Sequence, residues 1–162
     1  MDLSKLTVRA KALIDSCGYG RERIMSEDSL DECFAFFEEE GYRVFPEARE
    51  IIENFYMISI GKRGQFRGER FEITENSDIE NKMVVYPENI YDAAALFGQL
   101  SKAVNDYVIP LGLMGEDYIA IGESGKIYII SEEVYIGGEN WTDFLNNFAE
   151  NFKGTDSLKE IK

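Results

Sequence analysis

Two side-chain periods alternate along this chain, and their order restricts the fold more than any other feature. Apolar residues recur at Leu3, Leu6, Ala10, Leu13, Ile14 and Cys17, the inner face of a helix that Gly18 stops. After a turn at Gly18-Tyr19-Gly20-Arg21, a second helix is expected from Ser29, with Glu32 completing a capping box, to Gly41. Leu30, Cys33, Phe34 and Phe37 form its inward stripe. Pro46 opens a third helix, at the position where a missing N–H costs nothing, and Ala48, Ile51, Ile52 and Phe55 point inward.

The period then switches. Tyr56–Ile60, Arg70–Ile73 and Met83–Tyr86 have strand texture, and Gly61–Gly68 between the first two reads as a Gly-rich basic loop. A fourth helix follows over Tyr91–Asn105. Val108–Gly112 enters a second strand region, Tyr118–Ile121 and Lys126–Ile130 form a hairpin around Glu123-Ser124-Gly125, and Val134–Ile136 adds an edge strand. A last helix starts near Thr142 and presents Phe144, Leu145, Phe148 and Phe152. No strand-helix-strand repeat occurs, which argues against a doubly wound parallel sheet. The order predicts an α+β fold, a single domain over residues 1–152 with a mostly antiparallel sheet flanked by helices. Residues 153–162 read as a polar, flexible tail. The expected core includes Phe34, Phe37, Ile51, Phe55, Leu100, Ile119, Ile127, Ile129, Phe144 and Phe148.

Composition narrows the function. The 31 acidic residues against 17 basic give a net charge of −14. Such an excess repels nucleic acid and anionic membrane surfaces and favours cationic partners. Histidine is absent, which removes Ser-His-Asp and Cys-His catalysis, His-ligated zinc and the usual general base near neutral pH. Cys17 and Cys33 sit on helical apolar faces and read as buried free thiols. No window approaches the ~18 consecutive apolar residues of a membrane span, and the N-terminus has no basic stretch leading into an apolar run. The expectation is a cytoplasmic protein.

The remaining motifs favour plain readings. Gly61-Lys62-Arg63-Gly64 with Gly68 matches neither a P-loop nor a dinucleotide fingerprint, so it reads as a basic hairpin loop. Asp28, Asp31 and Glu32, or Glu116 and Asp117, are carboxylates of the type that serves hydrolysis or divalent metals, but no stretch has the spacing of an oxygen-ligand loop. Catalytic residues, cofactor and metal are therefore all assigned as none. Trp141, the only tryptophan, stands before a helix start and reads as a staple onto the core.

Three stretches together resemble the SUKH superfamily, and most closely its SUKH-3 branch. They are Cys17-Gly18-Tyr19-Gly20-Arg21; Phe37-Glu38-Glu39-Glu40-Gly41-Tyr42-Arg43-Val44-Phe45-Pro46-Glu47-Ala48; and Pro110-Leu111-Gly112 with Ile119-Ala120-Ile121 and Gly125-Lys126-Ile127-Tyr128. Tyr19 stands where the branch tends to have Trp, and Tyr56-Met57 replaces a Gly-Gly pair. The resemblance implies an immunity protein of a bacterial polymorphic-toxin system, which binds and blocks a cognate toxin domain, often a nuclease. The alternatives are a regulatory or scaffold module of the same fold and a carboxylate enzyme. For a binding protein, the acids Glu27, Asp28, Asp31, Glu32, Glu38, Glu39 and Glu40 are the candidate contacts with a basic protein partner. They crowd one stretch that holds no base between Ser26 and Glu40.

Overall fold

The computed structural model describes residues 2–19, 27–61, 64–73, 82–150 and 159–160. Among the described residues, five α-helices pack around a seven-stranded antiparallel sheet, so the expected α+β class holds. The helices are α1 (Val8–Ser16), α2 (Glu27–Glu40), α3 (Pro46–Phe55), α4 (Ala94–Val104) and α5 (Trp141–Glu150). The strands are β1 (Ser59–Ile60), β2 (Gly64–Arg67), β3 (Arg70–Ile73), β4 (Met83–Val85), β5 (Val108–Met114), β6 (Asp117–Gly122), β7 (Ile127–Ile130), β8 (Val134–Gly138) and β9 (Lys159–Glu160). The main sheet runs β1-β4-β5-β6-β7-β8-β9, and β2 and β3 form a separate hairpin. Among the described residues, no helix is long and apolar enough to cross a membrane.

Several boundaries differ from expectation for identifiable reasons. The first helical segment divides into a 3-10 turn at Leu3–Lys5 and α1, because Thr7 adopts extended backbone and its side chain caps the Ala10 N–H. Helix α2 begins at Glu27, so Ser29 lies inside the helix and is not its cap. Part of the basic loop is a strand: Gly64–Arg67 pairs with β3 in register Phe66↔Phe71, and Lys62 and Arg63 lie outside the described residues. Gly20, Arg21 and Phe152 lie outside them too. Strand β8 is not the edge, since Ile136 pairs with Lys159. That pairing ties two residues of the expected tail to the sheet; residues 151–158 are outside the described set.

Alternation along the strands divides the apolar residues between two faces. Ile109, Leu111, Ile119, Ile121, Ile127 and Ile129 point to one side, where α1, α2, α3 and α5 pack on them with Phe37, Phe55, Trp141, Phe144 and Phe148. Trp141 is 1% exposed and meets Phe55 edge-on at 5.2 Å, so it packs onto the core as expected, but it is the first residue of α5 and does not precede the helix as a staple would. Val108, Ala120 and Tyr128 point to the other side, where α4 supplies Phe97 and Leu100. Nine of the ten expected core residues are buried, and Phe34 is only half-buried, with Phe36 taking the interior place. Gly112 marks the closest strand approach: a Cβ there would stand 2.1 Å from the Val84 carbonyl oxygen.

Candidate partner-binding surface

Helix α2 carries the acids singled out by the sequence. Its apolar residues Cys33 and Phe37 are fully buried, which turns the opposite side outward, and Asp31, Glu32, Ala35, Glu38 and Glu39 are exposed while Glu40 is half-buried. The helix includes Glu27 and Asp28, whose side chains lie outside the described residues. Five of the seven candidate acids are thus placed on or beside one solvent-facing helical surface.

Their position along the helix matters as much as their number. Helix α2 ends in paired 6→1 and 5→2 hydrogen bonds, Tyr42 N–H to Phe37 O at 2.8 Å and Gly41 N–H to Glu38 O at 3.2 Å. Gly41 supplies the left-handed φ of 83° that this ending requires. Glu38, Glu39 and Glu40 therefore occupy the last turn, which holds no basic residue. Partial negative charge accumulates at a helix C-terminus, so carboxylates there are disfavoured. Among the described residues, no cation pairs with Asp31, Glu32, Glu38, Glu39 or Glu40.

The nearest arginines are engaged elsewhere. A groove of about 570 Å³ between α2 and the start of α3 is lined by Asp31, Phe34, Glu38, Tyr42, Arg43 and Arg49. The Arg49 guanidinium lies over the Phe34 ring at 4.2 Å, which explains why Phe34 is partly covered, and it pairs with Glu53 at 3.8 Å. Arg43 makes a two-pronged contact with Glu123 at 2.8 and 3.2 Å and lies 4.8 Å from the Tyr107 ring centroid. The hydrogen-bonded Arg43 holds the Glu123 carboxyl below its ordinary range. The Tyr42 hydroxyl is buried with no hydrogen-bond partner among the described residues, and burial first, then Glu40, pushes its pKa up to about 12. The groove thus offers a half-covered aromatic floor and carboxylates free of internal counterions.

Cys33 and Tyr56 lie buried beneath this helix. The Tyr56 hydroxyl donates to the Glu88 carboxylate. Burial, followed by the nearby Glu88 charge, pushes the Cys33 thiol well above its ordinary value; burial and the hydrogen bond to Glu88 do the same for Tyr56. A thiol held protonated is a weak nucleophile. Cys17 is free as well but only half-buried, less enclosed than its place on the helix predicts. Among the described residues, no group of three or more Cys, Asp or Glu side chains could hold a metal ion. Asp106 accepts from Ser124 Oγ at 2.5 Å and from the Tyr128 hydroxyl at 2.9 Å, which ties the approach to β5 onto the β6–β7 turn.

One concavity was not legible in the sequence. A cleft of about 530 Å³ beside the start of α5 brings together Asp2, Glu47, Glu139 and Asp143, and Lys5 lines it too. The acids come from three distant parts of the chain, so no local run announces them. The Nε1 of Trp141, which also lines the cleft, has no hydrogen-bond partner among the described residues.

A family model described as SUKH-3 immunity protein matches residues 7–151. No curated protein matches the chain, and no solved structure does. The match takes in all five helices and every strand of the main sheet except β9. The chain belongs to the SUKH-3 immunity protein family.

Proposed function

We propose that this SUKH-3 protein neutralises a cognate toxin domain of a bacterial polymorphic-toxin system by binding it in the cytoplasm, with the acidic outer face of α2 meeting a basic surface of the toxin. The observation that carries the reading is the family match over residues 7–151. The α2 acids give it a physical route. Glu38, Glu39 and Glu40 crowd like charge at the unfavourable end of a helix without an internal counterion, and a cationic partner relieves that repulsion. A nuclease is the toxin class that fits, because a cleft that holds a polyanion is itself cationic. Blocking needs no chemistry from the immunity protein: the acids accelerate encounter, and apolar anchors set the lifetime of the complex.

Growth rescue tests the reading. A candidate cognate toxin domain is expressed alone and with the full chain. Protection of the cells, together with a stable complex of the two purified proteins, is the expected result. The absence of both protection and a complex would sink the toxin reading and leave a regulatory module of the same fold. Catalysis is tested separately: turnover abolished by a single Asp or Glu substitution would contradict a purely binding role.

A further inference from the structure

The sheet face that carries α4 is only partly covered. Phe97 and Leu100 of α4 bury Val108, Ala120 and Tyr128. Toward the β5–β6 and β7–β8 turns, the strand register sets Val84, Leu113, Tyr118, Ile130 and Val134 side by side, as the pairs Val84↔Leu113, Leu113↔Tyr118, Tyr118↔Ile130 and Ile130↔Val134. All five are half-buried, and the last four also pack against the smaller core under α4. They form a continuous apolar row across five strands, about 19 Å long at ~4.8 Å per inter-strand step. The turns bordering this row expose Glu116, Glu132 and Glu133, and no cation pairs with these acids among the described residues.

We propose that this row is a second contact surface, which receives a polypeptide segment of the partner that presents apolar side chains flanked by lysine or arginine. Charge complementarity selects this occupant. The apolar row favours an apolar face, and the three rim carboxylates favour cations at its ends while disfavouring an acidic segment or a second copy of this −14 chain. The proposal rests on the reading that the protein works by binding another protein, and it supplies the apolar anchors that the α2 acids lack. Five adjacent apolar side chains on a rigid sheet need no reordering when a segment docks, which favours a slow off-rate.

The test uses the full chain, isotopically labelled, and two synthetic probes: a 14-residue amphipathic Leu/Lys peptide and an oligolysine of equal charge. The Leu/Lys peptide is expected to shift the amide signals of Leu113, Tyr118, Ile130 and Val134 and to bind at least tenfold more tightly than oligolysine. Val134→Lys should weaken the Leu/Lys peptide by tenfold or more. Glu132→Lys with Glu133→Lys, in an exposed turn that leaves the core intact, should weaken it severalfold. Equal affinity for the two probes, or shifts confined to α2, overturns the proposal. Failure of growth rescue with the peptide still bound at this row would instead count against the toxin reading alone.

Discussion

The two faces of the central sheet are built from similar residues and finished differently. On one face four helices seal a row of isoleucines against Phe37, Phe55, Trp141, Phe144 and Phe148, each of which is 1% exposed or less. On the other, α4 covers Ala120 and Tyr128 and leaves Leu113, Tyr118, Ile130 and Val134 half-buried. The sealed face buries the larger share of the core and should contribute the larger share of stability. The open face leaves a row of apolar side chains partly accessible, and binding anchors are drawn from surface of this kind.

The largest effect should come from the sealed face. Phe37→Ala or Phe148→Ala removes a buried side chain packed against other aromatic residues of the core, Phe36 and Tyr42 for Phe37 and Phe144 for Phe148, and should cost about 3–5 kcal/mol in denaturant unfolding. Under α4, Leu100 is 7% exposed, so water and neighbours can partly refill the space, and Leu100→Ala should cost about 2 kcal/mol, the low end for this change. On the open row, Val134→Ser should change stability by less than about 1 kcal/mol. If Val134→Ser proved as damaging as Phe148→Ala, the two faces would not differ and the open row would be ordinary core.

A smaller, pH-dependent effect should come from the link between the two layers. Arg43 depresses the Glu123 pKa in the folded state. A depressed carboxylate stabilises the fold above its unfolded-state pKa, and the contribution disappears as pH falls through the folded value. Stability conferred by this pair should therefore be intact at neutral pH and fade below the ordinary glutamate value of 4.5. In Glu123→Gln that part of the acid dependence should be absent, as thermal midpoints measured from pH 7 to pH 3 would reveal. Both groups are solvent-exposed, so the difference should be small.

Much of the fold was legible because sequence period and burial agree in the elements that matter. Helix α3 opens at Pro46 as its sequence predicts, and the β6–β7 hairpin pairs Ile119 with Ile129 around the expected turn. Other features depend on tertiary neighbours. Phe34 and Phe36 flank the Cys33–Phe37 line of α2 on opposite sides, so period alone does not select between them. The structure places Phe36 against Phe37 and Tyr42, while Phe34 turns toward Arg49. Strand β2 escaped because Gly64, Gln65 and Arg67 carry little strand signal, yet Gly64 is needed there: a Cβ would stand 2.6 Å from the Glu72 carbonyl oxygen. The acidic run on α2 could be read directly, since one helix carries it. The row from Val84 to Val134 could not, because it exists only once five strands are in register.

We propose that the acids at the end of α2, which pair with no cation among the described residues, recruit a basic partner. The most direct test is the association rate of the cognate toxin domain with the Glu38→Lys, Glu39→Lys, Glu40→Lys variant, measured across a range of salt concentrations. Lysines at a helix C-terminus interact favourably with the dipole, so the variant should fold with an unchanged or higher thermal midpoint. Association should nevertheless slow by tenfold or more at low salt, and its salt dependence should flatten. An unchanged rate with an unchanged salt slope, in a folded variant, would contradict the account and make this face of α2 a solvated surface only.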